Sequence, residues 1–473
     1  MEKNIGIVWI RNDFRILKND ALTYATQNHD QVCAFYILKK KDFIKRSAQL
    51  WWLNQSLKNF KKKLDQFNIN IEIIEANSYK EIFEKIIKKK NFSIYWNKVY
   101  EPNFLLFDKK SSNILKQENI NFKIFKGNLL NEPHEIKKND DTPYKVFTPF
   151  WRTAEKFYLE KGFNKEKKIK ICQKKTNFLG QSINLESILP KKKWHLNFNK
   201  FWNPCEETAL KNIKYFVKNN LKNYGKNRDI PSVEGTSKIS PYLAFGQIHI
   251  ETIWEECQKI KIKNNDYRKY INELGWREFS HTLINYFPEM LIGNLRKDFD
   301  HFPWQENEKH LIAWKAGMTG YPIVDAGMRE LYATGWMHNR VRMITASFLV
   351  KHLRIHWQEG EKYFRDCLLD FNEANNIAGW QWVAGCGADA APYFRIFNPI
   401  LQGERFDPLG EYVKKWIPEL SNISKKFIHK PWELNENTKD FELGKNYPKP
   451  IVIHEEARNA ALEAFKKIKK KTI

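Results

Sequence analysis

The sequence predicts two kinds of fold in one chain: an N-terminal α/β domain with a Rossmann-like parallel sheet, and a large all-α domain after it. Three observations carry this. Over residues 1–130, short apolar runs alternate with helical stretches, the pattern of a parallel sheet covered by helices. From Phe201 onward the helical period dominates. Between them, residues 131–200 hold Pro133, Asp140, Asp141, Pro143, Pro149 and a lysine-rich stretch at 161–175. A connection of that length is uncommon unless it spans domains or carries function. The expected division is therefore 1–130, 131–200 and 201–473.

The expected strands are 5–10, 32–38, 71–74, 94–96 and 122–125. Each is a brief apolar run, as strands buried on both faces require. The clearest helix between them is 47–67, with Leu50, Leu53, Leu57 and Leu64 along one face. The first strand runs into Arg11-Asn12-Asp13 without a G-x-G-x-x-G, so no glycine cradle for a dinucleotide phosphate stands there. The domain is Rossmann-like in shape only. In the helical part the expected helices are 206–220, 240–258, 266–286, 307–316, 321–334, 337–353 and 359–370, with 455–469 closing the chain. Glycine and proline punctuate the gaps.

Composition bounds the function. Apolar residues make up 42% and charged residues 29% of 473, which excludes a disordered or fibrous chain. The net charge of +25 suits a polyanion such as nucleic acid. Lysine runs such as Lys61-Lys62-Lys63 and Lys191-Lys192-Lys193 read as solvated faces. Aromatic residues reach 15%, with 17 tryptophans. Most belong in cores, but such an excess also supplies stacking platforms for bases or rings. The six cysteines form no C-x-x-C pair and no zinc-finger spacing with histidine. Neither a disulfide framework nor a metal site is expected. No N-terminal apolar leader and no apolar run near 18 residues occurs, so a cytoplasmic protein without a membrane span is expected.

Three polar clusters stand out. Gly235-Thr-Ser-Lys-Ile-Ser-Pro241 gathers hydroxyls and N–H groups before a helix, an arrangement for phosphate; equally, Ser240 reads as an ordinary N-cap with Pro241 at the first helical position. Glu273, Trp276 and Arg277 fall at i, i+3, i+4 and share a helix face. They read as the lining for a polar aromatic ligand, or as a surface ion pair beside a core tryptophan. Asn339, Arg342 and Met343 share another face, with Arg340 about a quarter-turn away. The block 369–382, with Asp370, Asn372 and Asn376 before Trp380-Gln381-Trp382, has too many short polar side chains for a helix core and reads as a hydrogen-bonded wall.

Several longer segments resemble the photolyase/cryptochrome family. They are Gly320-Tyr-Pro-Ile-Val-Asp-Ala-Gly-Met-Arg, Gly335-Trp-Met-His-Asn-Arg-Val-Arg-Met, Gly379-Trp-Gln-Trp-Val and Pro392-Tyr-Phe-Arg-Ile-Phe-Asn-Pro. Val8-Trp-Ile-Arg-Asn-Asp-Phe-Arg resembles its opening strand and Tyr447-Pro-Lys-Pro-Ile-Val its closing segment. The resemblance implies that the all-α domain binds a U-shaped FAD. Tyr224, Thr236, Ser237, Lys238, Ile239 and Ser240 would hold its phosphates and ribityl chain. Asp370, Asn372 and Asn376 would border the rings, with Asn376 near flavin N5 and Arg342 paired to Asp370. Asn372 stands where repair enzymes of the family carry a second aspartate.

At the substrate pocket, Glu273, Trp276, Asn339, Met343 and Trp382 resemble the set of a class I cyclobutane pyrimidine dimer photolyase. Six-four photolyases place a histidine pair where this chain has Asn339 and Met343, and plant-type sensors lose one or more of the five. The implied activity is light-dependent repair of pyrimidine dimers in DNA by a monomer. The alternatives are a cryptochrome-like sensor that signals through a partner and a flavin protein that binds nucleic acid without repair. Arg228, Arg277, Arg340 and Arg395 match positions that meet DNA phosphates, and Trp304, Trp357 and Trp380 match an electron-hopping chain. His338 falls about 100° round the helix from Asn339, off the pocket face. Pterin-binding relatives resemble the chain around Tyr100-Glu-Pro-Asn103, but Phe104 replaces their glutamate. Trp51 and Trp52 would suit a flatter deazaflavin or flavin as second, antenna chromophore.

Overall fold

A computed structural model of the protein describes residues 4–43, 46–162, 167–190, 193–261, 263–390, 394–434 and 441–470. Lys191 and Lys192 of the lysine run, and Pro392 and Tyr393 of one family-like segment, lie outside the described residues.

Five strands form the N-terminal sheet: β1 Ile5–Ile10, β2 Val32–Leu38, β3 Asn70–Glu75, β4 Phe92–Asn97 and β5 Asn121–Phe125. All pair in parallel, in the order β3-β2-β1-β4-β5. Every expected strand is present, and β3, β4 and β5 begin a residue or two earlier. The crossover helices are α1 Asp20–Asn28, α2 Ser47–Asp65, α3 Tyr79–Ile87 and α4 Pro102–Gln117. Side chains alternate between faces. Ile7, Trp9 and Phe35 pack beneath α3, whereas Val8, Ile10 and Ala34 join a core that continues into the helical domain. Strand order reverses between β1 and β4, which opens a crevice at the strands' carboxyl ends.

The connection is less plain than expected. It contains α5, Phe147–Lys161, whose aromatic and small residues pack on the helical domain. Its later part covers the sheet edge: Ile183 N–H donates to Ile73 O at 2.8 Å, and Glu72 accepts from the N–H groups of Phe178, Leu179 and Gly180. An exposed strand edge would otherwise invite pairing with another chain.

The helical domain contains α6 Glu206–Asn219, α7 Tyr224–Asn227, α8 Ser240–Ala244, α9 Ile250–Gln258, α10 Asn265–Tyr286, α11 Glu308–Ala316, α12 Pro322–Thr334, α13 Asn339–Ser347, α14 Trp357–Cys367, α15 Glu373–Ala384, α16 Pro399–Phe406, α17 Glu411–Trp416 and α18 His454–Lys470. Three expectations need correction. The helix read as 240–258 is broken into α8 and α9 at Gly246, whose φ is +62° and whose place leaves no room for a Cβ against Asn12 O. Close approach of the two domains, invisible in the period, imposes the break. The polar block 369–382 contains helix α15, capped by Asn372 Oδ1 on Asn375 N–H at 3.1 Å. The expected helix 337–353 begins after the cap His338 and ends in a π-helical turn, Phe348–His352. Among the described residues no helix is long and apolar enough to cross a membrane, and no group of three or more His, Cys, Asp or Glu could hold a metal.

Candidate functional site

The site lies where α7–α8, α10, α13 and α15 converge. Its floor is an ion pair: Arg342 Nη2 donates to Asp370 Oδ2 at 2.7 Å. Arg342 is aimed by its own Nε, which donates to Met337 O at 2.7 Å. The same Asp370 oxygen accepts from Ser240 Oγ at 2.6 Å. Ser240 is therefore not the cap of α8; Ile239 occupies the cap position, with no side-chain bond, and the hydroxyl reaches across to Asp370. Lys238 just before it holds a left-handed φ of +48°. Tyr224 is buried, edge-on to Phe216 and Tyr270. Thr236, Ser237 and Lys238 are half-buried at this end.

These residues fit a polar cofactor. Asp370 Oδ1 and His338 Nε2 are buried without a hydrogen-bond partner among the described residues. An orphaned acceptor beside a held guanidinium asks for an outside donor. Asn376 Nδ2 donates to Glu361 Oε1 at 2.9 Å, and Glu361 pairs with Arg365 at 2.8 Å. That acid sets the amide's orientation. Asn372 caps α15 and turns its amide toward Glu101 Oε1 at 3.4 Å.

The rim forms two connected arcs. On one, Glu273 Oε1 takes Arg228 Nη1, Arg228 leans on Asp229, and Asp229 takes Arg340 Nη2 at 2.9 Å. Arg340 also approaches Met343 Sδ and stacks over Phe406. On the other, Trp276 lies face to face with Phe147, centroids 3.8 Å apart. Trp382 Nε1 donates to Asp389 O, and Asp389 N–H donates to Lys145 O, each at 3.1 Å. Residues 145–147 of the connection thus tie the two tryptophans together. Asn339 and Arg395 are exposed. His338 caps α13 through Nδ1, and burial pushes it down to about 4.

Arg277 does not join this rim. Its side chain is 14% exposed and approaches Glu278 at 3.5 Å. It lines an interior cavity of about 40 Å³ with Asn12, Arg15, Tyr100, His281 and Asn372. One residue beyond Trp276 is about 100° round the helix, and that rotation turns Arg277 toward Asn12, Arg15 and Tyr100 of the α/β domain. Beside it, burial pushes Glu278 up to about 7.

The three tryptophans gather around α14. Trp380 is buried against Gly360 of α14, where a Cβ would strike its ring. Trp357 begins the same helix, fully buried, and Trp304 is half-buried. Trp314 also touches Trp380, at 6.2 Å.

A second cleft of about 430 Å³ opens at the carboxyl ends of the strands, lined by Tyr36, Arg46, Tyr79, Glu101, Phe104 and Phe107 among others. Trp51 and Trp52 are not in it. They are core, 5% and 0% exposed, with Trp52 Nε1 bonded to Gln247. The helical face of α2 that buries leucines buries these indoles too.

Sequence reasoning missed Phe147, Asp229 and Glu361. Only Glu361 carried a local signal, its i, i+4 relation to Arg365; the others act through neighbours distant in the chain.

Two family models match the chain: DNA photolyase over residues 6–168 and the FAD-binding domain of DNA photolyase over 270–467. A deoxyribodipyrimidine photo-lyase of Agrobacterium fabrum is 40% identical over 472 residues, covering 98% of each chain. A crystal structure of a class III photolyase from Agrobacterium tumefaciens superposes with a TM-score of 0.92 at 40% identity, covering 99% of this chain and 98% of that one. An archaeal photolyase from Sulfolobus tokodaii with two FAD molecules superposes at 0.82 with 28% identity, covering 98% of this chain and all of its own. The class I assignment is not carried further, since a class III enzyme matches over the whole length. From its parallel sheet to its orphaned Asp370 oxygen, the chain belongs to the DNA photolyase family.

Proposed function

We propose that the protein repairs cyclobutane pyrimidine dimers in DNA, with FAD held over the Arg342–Asp370 pair. The observation that supports this best is the joined rim: Glu273, Arg340 and Met343 on one arc, Trp276 and Trp382 on the other. When bound, reduced FAD excited by light supplies an electron to the dimer and recovers it. The protein's residues bind and hold. A dimer stacks and pairs poorly, so flipping it out of the duplex costs less than the usual few kcal/mol. Trp276, with one face backed by Phe147, and Trp382 receive the two pyrimidines, at about 1–3 kcal/mol per stacked base. Glu273 accepts hydrogen bonds at the pyrimidine edge, and Arg228 holds it in place. Asn339 and Met343 offer no ionisable proton, so the hydroxyl transfer of a six-four photoproduct lacks its acid.

Arg228, Arg340 and Arg395 face phosphates. With Arg277 inside the protein, three contacts give a log–log salt slope of about −2.7. The second cleft suits a planar aromatic antenna chromophore, whether pterin, deazaflavin or flavin, between Tyr36, Tyr79 and Phe104. We place the protein in the cytoplasm as a monomer, in keeping with six unbridged cysteines, five of them buried. The deciding experiment is blue-light repair by reduced holoprotein on two oligonucleotides, one with a cyclobutane dimer and one with a six-four photoproduct. Repair of the first alone is expected. Repair of the second, or of neither, overturns the reading and favours another branch or a sensor.

A further inference from the structure

We infer that His356 tunes the outer end of the tryptophan path: as a neutral ring it lets positive charge settle on Trp304, and as a cation it disfavours that charge. The inference rests on the reading of Trp380, Trp357 and Trp304 as the electron path, and concerns only the chain's own side chains.

His356 sits between the outer two indoles. Its ring centroid is 4.9 Å from Trp304, edge to face, and 5.6 Å from Trp357, tilted by 30°. The indoles differ in what receives their N–H. Trp357 Nε1 donates to Asn294 Oδ1 at 2.8 Å, and Asn294 Nδ2 donates to Asp300 Oδ1 at 2.7 Å. A carboxylate therefore supports positive charge on Trp357 through one amide. Trp304 Nε1 is buried with no acceptor among the described residues.

The outer step moves one electron. It passes from Trp304 to the Trp357 cation radical; Trp357 becomes neutral and Trp304 becomes the cation radical. No bond breaks in this transfer of one electron. A thiol or other one-electron reductant in solution later refills Trp304. Since Trp357 is the better-supported cation, neighbouring charge decides whether the step runs outward.

The charged groups facing His356 are Glu359 and Lys362 on α14, paired at 2.8 Å, and Asp300 from the turn Lys297–His301. The first two largely cancel. His356 itself is the group that changes. Its Nδ1 lone pair accepts Gln358 N–H at 3.2 Å as the N-cap of α14, so a proton added there breaks the cap. Burial works the same way, holding the ring neutral below the ordinary histidine range. A proton on it places a unit charge nearer Trp304 than Trp357, which disfavours the outer cation by roughly twofold at an effective dielectric constant of about 20.

The test uses holoprotein as wild type, His356→Asn and Trp380→Phe. Asparagine keeps an N-cap acceptor and takes no proton. A light flash is followed by transient absorption of the tryptophan radical at about pH 5 to 8, with NMR titration of His356 alongside. In the wild type, the long-lived radical should fall about twofold on acidification, with the midpoint of the NMR titration. In His356→Asn it should stay high throughout. A flat wild-type profile, a midpoint that departs from the NMR value, or a pH-dependent His356→Asn overturns the inference. Trp380→Phe should abolish the radical at every pH; if it does not, the electron path itself is wrong, and the inference falls with it for that separate reason.

Discussion

One oxygen of Asp370 takes both Arg342 and Ser240, and the other takes nothing. A buried carboxylate so divided is built to receive a donor from outside the protein. Asp370→Asn keeps the shape and removes the charge that makes these bonds strong. It should weaken FAD binding by about 2 kcal/mol, roughly thirtyfold, from the worth of a charge-assisted bond. Equilibrium dialysis of FAD against both proteins measures this, and unchanged retention would place the cofactor elsewhere. Arg277 makes the opposite point. Its residue type and spacing suited a phosphate contact, yet its direction on α10 was set by which neighbour Trp276 takes.

At the scale of elements, three of the described helices are capped by a histidine side chain. His249, His338 and His356 cap α9, α13 and α14, each through Nδ1 accepting the N–H two residues on, at 3.3, 3.3 and 3.2 Å. The cap uses the lone pair that a proton would occupy, and burial adds to it. All three are pushed down, His338 to about 4. The folded chain stays neutral there while the unfolded chain takes protons near pH 6.5. Between about pH 4 and 6.5 the unfolded state therefore binds more protons, and stability falls as pH falls through that window. His338→Asn keeps a capping oxygen and titrates nothing. Its urea midpoint should drop less than the wild type's between pH 7 and pH 5; an equal drop would mean that His338 contributes nothing to the acid loss.

Over the whole molecule, the two domains are held by close contact as well as by a shared core. Glu278 of α10 accepts the N–H groups of Leu130 and Asn131, where the α/β domain ends. Glu206 does the same for Ile16 and Leu17 after β1. Gly246 lets the α8–α9 turn touch Asn12. Gly246→Ala combines a left-handed backbone with a clash against main chain, so destabilisation of about 2 kcal/mol or more is expected. Chemical denaturation with a sheet-domain and a helical-domain probe would check it, and a loss below about 0.5 kcal/mol would show that the turn yields.

The sequence by itself determined the strands, their parallel pairing and most helices, because burial on both faces and the 3.6-residue period are local properties. It also pointed to Arg342 with Asp370 and to the five pocket residues, through motifs long enough to be specific. Tertiary structure alone decided what those residues meet. Phe147 comes to Trp276, Asp229 to Arg340 and Glu361 to Asn376 from other elements. The same holds for Trp51 and Trp52, whose place in the core follows from packing against Phe198 and Tyr242. A side chain's type and helical position are written locally, but its partner is fixed by the close packing of segments far apart in the chain.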